Sequence, residues 1–135
     1  MTVSQLRFLQ PEGWVPPRGY ANGVAAEGRM VFVAGQVGWN ALGQFETDDF
    51  VAQVEQALVN IVAVLRTGGA APEHLVRMRW YVTDKATYVA RQNEIGEVYR
   101  RVIGRHFPAM TLVVVAGFVE DRALVEIEAT AVLPA

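Results

Sequence analysis

Few side chains in this sequence can serve as a nucleophile. There is no cysteine, Ser4 is the one serine, Lys85 the one lysine, and His74 and His106 are the two histidines. A Ser-His-Asp triad would have to use Ser4, in an unanchored terminus. Lys85 directly follows Asp84, a poor setting for the free amine that Schiff-base chemistry requires. The histidines share no helical ligand spacing and read as surface residues, so no metal is expected. Without cysteine, disulfides and thiolate sites are excluded. Other chemistry-bearing residues recur at period two: Arg77, Arg79 and Tyr81 in one segment, Glu126 and Glu128 in another. That spacing places each set on one face of a strand.

The elements that position them follow from pattern and punctuation. Leu6–Leu9 reads as a short edge strand, and the Pro/Gly-rich stretch 11–23 as an ordered loop. Met30–Val37 is rich in β-branched and aromatic residues and fits a strand, with Gly35 marking a bulge or a close backbone approach. Thr47 is a candidate helix N-cap, with Asp48 and Asp49 favouring a helix start. From Phe50 the period changes: Phe50, Val51, Val54, Ala57, Leu58, Ile61, Val62 and Leu65 form the stripe of an amphipathic helix that ends at Gly68-Gly69. Leu75–Thr83 alternates as a strand, with Val76, Met78, Trp80 and Val82 on one face. A second helix starts near Thr83 or Asp84 and carries Tyr88, Ile95, Val98, Tyr99 and Val102 along one side. Gly96 weakens it by roughly 1 kcal/mol relative to alanine, which implies a reason in packing or access. Strands over 111–116 and 123–133 close the chain.

This order predicts one α+β domain over residues 1–135, a mixed sheet with two helices packed on one face. The other face mixes apolar residues with Arg77, Arg79, Glu126 and Glu128, the character of an oligomer interface in which Arg79 pairs with a glutamate. Composition agrees with a single globular chain: 52% hydrophobic, 19% charged, formal net charge −2. No basic excess suggests nucleic acid, and no segment suggests a membrane span or signal peptide, so a cytoplasmic protein is expected. Arg100, Arg101 and Arg105, near a helix C-terminus, read as a solvated face rather than an RNA patch.

Gly19-Tyr20, Val33-Ala34-Gly35-Gln36, Asn60-Ile61, Tyr81-Val82-Thr83-Asp84, Asn93, Phe107-Pro108-Ala109 and Val125-Glu126-Ile127-Glu128-Ala129, in this order, resemble the RidA-like proteins, also known as L-PSP endoribonucleases. The resemblance runs from about residue 19 to 132. It implies a chorismate-mutase-like fold, a homotrimer with intersubunit sites, and hydrolysis of small-molecule enamines or imines to a carbonyl compound and ammonia, with no cofactor. It also implies a catalytic Glu126 that holds the attacking water, and substrate-binding positions at Tyr20, Ala34, Gly35, Asn93 and Met110. The family motif Pro-Ala-Arg reads Pro108-Ala109-Met110 here, so the carboxylate-clamping arginine is replaced by a side chain without a donor. A larger or non-carboxylate substrate is the resulting expectation, with Trp14, Trp39 and Phe118 as rim candidates. The alternative is a non-catalytic trimeric binding or regulatory protein. Whether Arg18 or Arg105 replaces the clamp stays open at this level.

Overall fold

The computed structural model describes residues 6–135; Ser4 lies outside them. Two short strands, β1 (Arg7–Leu9) and β2 (Gly23–Ala25), pair antiparallel. The main sheet contains β3 (Arg29–Val37), β4 (Leu75–Val82), β5 (Ala109–Val114) and β6 (Val125–Leu133). Its order is β3-β6-β4-β5, antiparallel at the first two pairings and parallel between β4 and β5. Helices α1 (Phe50–Thr67), α2 (Lys85–Ala90) and α3 (Gln92–Val102) complete the α+β architecture.

The predicted stripe of α1 is its buried side, and Leu58, Ile61 and Leu65 are fully buried. Each such side chain contributes about 1.5–3 kcal/mol of transfer free energy. They meet Met78, Trp80 and Val82 of β4 and Val125, Ile127, Ala129 and Ala131 of β6 in one core. By length and composition α1 could also cross a bilayer, but half of it is buried inside the fold as a core helix.

Asp49, not Thr47, is the N-cap of α1: its carboxylate accepts from Ala52 N at 2.9 Å, while Thr47 Oγ1 accepts from Asp49 N one step earlier. Gly68 closes the helix with bonds from its N–H, and Gly69 takes the left-handed turn at φ 80°. The expected second helix is two helices. Asp84 caps α2 through Thr87 N at 3.1 Å, and the chain breaks at Arg91 (φ −111°, ψ 20°) before α3 begins. Arg91 itself binds Asp49 at 2.6 Å and Glu94 at 2.8 Å, tying that junction to the start of α1.

Gln53, the polar member of the buried side of α1, is fully enclosed yet satisfied. Its Nε2 donates to Thr47 O and Arg122 O, both at 3.0 Å, and its Oε1 accepts from Leu124 N at 2.9 Å. Asn60, two turns further on, donates to Val37 O and Trp39 O at 3.1 and 2.8 Å. These two amides fasten α1 to the end of β3 and the start of β6, the strands that carry Gly35 and Glu126.

Candidate functional site

The register between β3 and β6 shifts between Val33 and Gln36, so Ala34 and Gly35 form a bulge opposite Glu128 of β6. Gly35 is not one of the positive-φ glycines. Its smallness serves close approach: a Cβ there would stand 2.5 Å from Glu126 Oε2 and 2.7 Å from Cδ. Glu126 faces Tyr81 in the β4–β6 ladder, and Arg79 faces Glu128. The Tyr81 hydroxyl donates to Glu128 Oε1, and that carboxylate holds the phenol above its ordinary range. The glutamate partner is therefore Tyr81 rather than the expected Arg79. The ring spans the cross-strand diagonal from Tyr81 to Glu128, and Arg79 stands close enough to the same hydroxyl to oppose part of the shift. Glu126 has no hydrogen-bond or ion-pair partner among the described residues. It lines a hollow of about 280 Å³ with Gly35, Tyr81, Phe118 and Glu128.

A larger cleft, about 440 Å³, opens on the opposite face of the sheet, beneath α2 and α3 at the β5 edge. Trp80 and Leu112, one step from Tyr81 and Val113, point to this helix side. Tyr20 and Met110 both line it, with Gln92, Gly96 and Arg100 from α3 and Arg18 from the loop. Its aromatic wall is continuous: Tyr99 stacks on Phe107 at 5.4 Å, and Trp80 lies 6.4 Å from Tyr99. The Tyr99 hydroxyl donates to His106 O at 2.6 Å, and burial pushes its ionisation well above the ordinary phenol range, so it is a fixed donor. His106 Nε2 bonds to Leu75 O across 31 positions and His74 Nδ1 accepts from Ala71 N, both structural roles.

The expected site residues thus fall into two groups. Glu126, Gly35 and Ala34 gather on the open face; Tyr20 and Met110 gather under the helices. Asn93 is on the exposed side of α3 and lines neither cleft, its neighbour Gln92 taking that place. Phe118 is a rim residue of the Glu126 hollow. Trp39 packs on Phe45 at 5.8 Å and Trp14 is exposed, away from both. Of the two arginines left open, Arg18 lines the larger cleft and Arg105 a different one beside Phe8 and His106. Arg100 is exposed, as read from sequence, and is also a lining residue; Gly96 in the same helix was the signal that something there required access.

A family model described as Endoribonuclease L-PSP matches residues 15–133. A RutC family protein of Haemophilus influenzae is 31% identical over 105 residues, 78% of this chain and 80% of that protein. The solved structure of YyfB from Yersinia pestis, a protein of unknown function of the conserved Rid protein family, has TM-score 0.85 and 35% identity, covering 96% of this chain and 99% of that one. The structure of E. coli TdcF with bound serine has TM-score 0.67 and 27% identity, covering 94% and 98%.

Proposed function

The chain belongs to the Endoribonuclease L-PSP family, whose Rid members share its chorismate-mutase-like fold, and on that premise we propose that it hydrolyses a reactive enamine or imine to a carbonyl compound and ammonia. The observation that carries this reading is the Gly35 bulge, which makes room for a Glu126 carboxylate that has no partner among the described residues and lines a small hollow. Such a carboxylate can hold a water molecule and take its proton as the oxygen adds to the C=N carbon. Glu126 passes that proton to nitrogen, giving a carbinolamine; it then takes the remaining hydroxyl proton and delivers it to nitrogen as the C–N bond breaks, so that ammonia leaves and the carbonyl forms. No metal or cofactor enters this sequence of steps.

Glu126 and the Tyr20–Met110 cleft lie on opposite faces of one sheet, so a substrate cannot touch both within a protomer. A homotrimer resolves this by setting the Glu126 face of one copy against the cleft of the next. The open sheet face suits such a contact, because Met30, Phe32 and Val113 expose apolar surface beside Arg79 and Glu128. Met110 directs the substrate toward a larger apolar body than the smallest imino acids. A cytoplasmic location is part of the same proposal.

The test is ammonia release from imines of graded size. Glu126→Gln keeps the shape and removes the base, so ligand binding persists while turnover falls by about 10² to 10⁴. Unchanged turnover would select the second reading, a non-catalytic trimeric binding or regulatory protein, which the loss of a charged group at Met110 favours.

A further inference from the structure

We propose that Arg100, assisted by Arg18, is the anion-binding element of the helix-side cleft, and that the ligand it selects is an anion with a flat aromatic body. In the proposed reaction this would be an aryl-substituted imino acid; that identification rests on the reaction, whereas the binding of aromatic anions does not.

Three observations converge. First, among the described residues of one protomer the cleft is lined by two guanidinium groups and no carboxylate, so the Glu126 that a neighbouring copy would bring to it meets an excess of positive charge. Arg91, Arg101 and Arg122 are each neutralised by an acid, at 2.6 to 2.9 Å, but neither Arg18 nor Arg100 has an ion-pair or hydrogen-bond partner among the described residues. A cavity with this charge balance attracts anions and repels ammonium ligands.

Second, the helix is built to hold Arg100 there. Long side chains on a helix lean toward its N-terminus, over the residue four positions earlier. For Arg100 that residue is Gly96, and a Cβ there would stand 3.2 Å from Arg100 Nη1. The glycine clears the track along which the guanidinium lies back toward the cleft. Its cost to helix propensity is thereby explained, and both residues line the cavity.

Third, the remaining walls are aromatic and large. Trp80, Tyr99 and Phe107 form the connected cluster, Tyr20 and Tyr88 add to it, and Met110 offers a thioether that packs well on rings. A volume of about 440 Å³ is in the range that holds an aromatic ring with its side chain. Trp80 is almost wholly buried, and its Nε1–H has no acceptor among the described residues, a donor that a bound ligand or its water could satisfy. Anion recognition has therefore moved from β5, where Met110 stands, to α3.

The experiment is calorimetric titration of the full chain with phenylpyruvate, phenylacetate, pyruvate and neutral phenylacetamide. Saturable binding of both aromatic anions is expected, with pyruvate and phenylacetamide at least tenfold weaker. Arg100→Gln should weaken phenylpyruvate tenfold or more, Arg100→Lys should recover part of the loss, and Arg18→Gln should have a smaller effect. Arg105→Gln, in a different cleft, should change nothing. Gly96→Ala carries the sharpest contrast, because it should raise the thermal midpoint while weakening phenylpyruvate. A separate hollow of about 190 Å³ places Arg77 beside Tyr20 and Met110; absence of saturable binding, equal affinity for phenylacetamide, unchanged affinity in Arg100→Gln, or loss of binding in Arg77→Gln instead would each overturn the proposal. Binding is read here without turnover. An inactive protein that still binds phenylpyruvate through Arg100 refutes the reaction and leaves the anion site, whereas the failures above leave the water site at Glu126 untouched.

Discussion

Gly35→Ala separates the position of the Glu126 carboxylate from its presence. Gly35 does not have a positive φ, so alanine can adopt its backbone without strain. The new Cβ would meet Glu126 Oε2 at 2.5 Å, Cδ at 2.7 Å and Cγ at 2.9 Å. An ordinary carbon–oxygen contact is about 3.4 Å, so the carboxylate must withdraw by roughly 0.9 Å. Exchanging glycine for alanine in a strand gains about 0.5–1 kcal/mol of conformational free energy, and driving one side chain off its rotamer costs about 0.5–1.5 kcal/mol. The two nearly cancel, so the thermal midpoint should stay within about 4 °C of wild type. Turnover should not. A displacement near 1 Å at a reacting group costs about 10²-fold in rate. Ammonia release is followed on an imine that the wild type accepts, together with ligand titration and thermal melting. Loss of rate with retained fold and binding is the expected pattern. Full activity in a folded Gly35→Ala protein would refute the claim that the bulge exists to place Glu126.

Arg91 holds the Asp49 and Glu94 carboxyls below the usual carboxylate range, with Ala52 N adding to the effect on Asp49. Depressed folded values mean that this stabilisation is complete above about pH 5 and is lost as pH falls through the folded values; Arg91→Gln should therefore flatten the melting profile between about pH 5 and pH 2, and an unchanged acid limb would contradict the assignment. Gln53→Leu strands Thr47 O, Arg122 O and Leu124 N in the interior and should cost about 2–4 kcal/mol, seen as a lower urea midpoint at constant slope; a loss under about 1 kcal/mol would mean that these groups find other partners. Light scattering should give three times the chain mass at micromolar concentration, and a stable monomer would remove the shared site.

Periodic features were legible in the sequence because each rests on many residues at once. The stripe of α1 and the alternation of β4 are signals of that kind, and the core they form is the one expected. Gly35 was legible for a different reason: a glycine in a β-branched strand has no use except a bulge or a close approach, and it turned out to serve both. Single-residue choices were not. Thr47 and Asp49 are equally good caps, and only the tertiary bond from Arg91 to Asp49 decides between them. The break at Arg91 leaves no mark in a helical pattern, since no proline or glycine accompanies it. Pairing of β2 with β1 across the Pro/Gly-rich stretch was hidden by its three-residue length. The site shows the same division. Which face of its strand Glu126 occupies follows from period two, whereas the cleft that holds Arg100 exists only because α3 lies over β5. From sequence, Arg100 and Arg101 are the same residue twice near one helix end. In the fold, Arg101 is spent on Glu55 at 2.9 Å, while Arg100 lies over Gly96 and faces the cavity. The glycine that looked like a defect is what distinguishes them, and it links a cost in helix propensity to the position of an unpaired charge beside the aromatic wall.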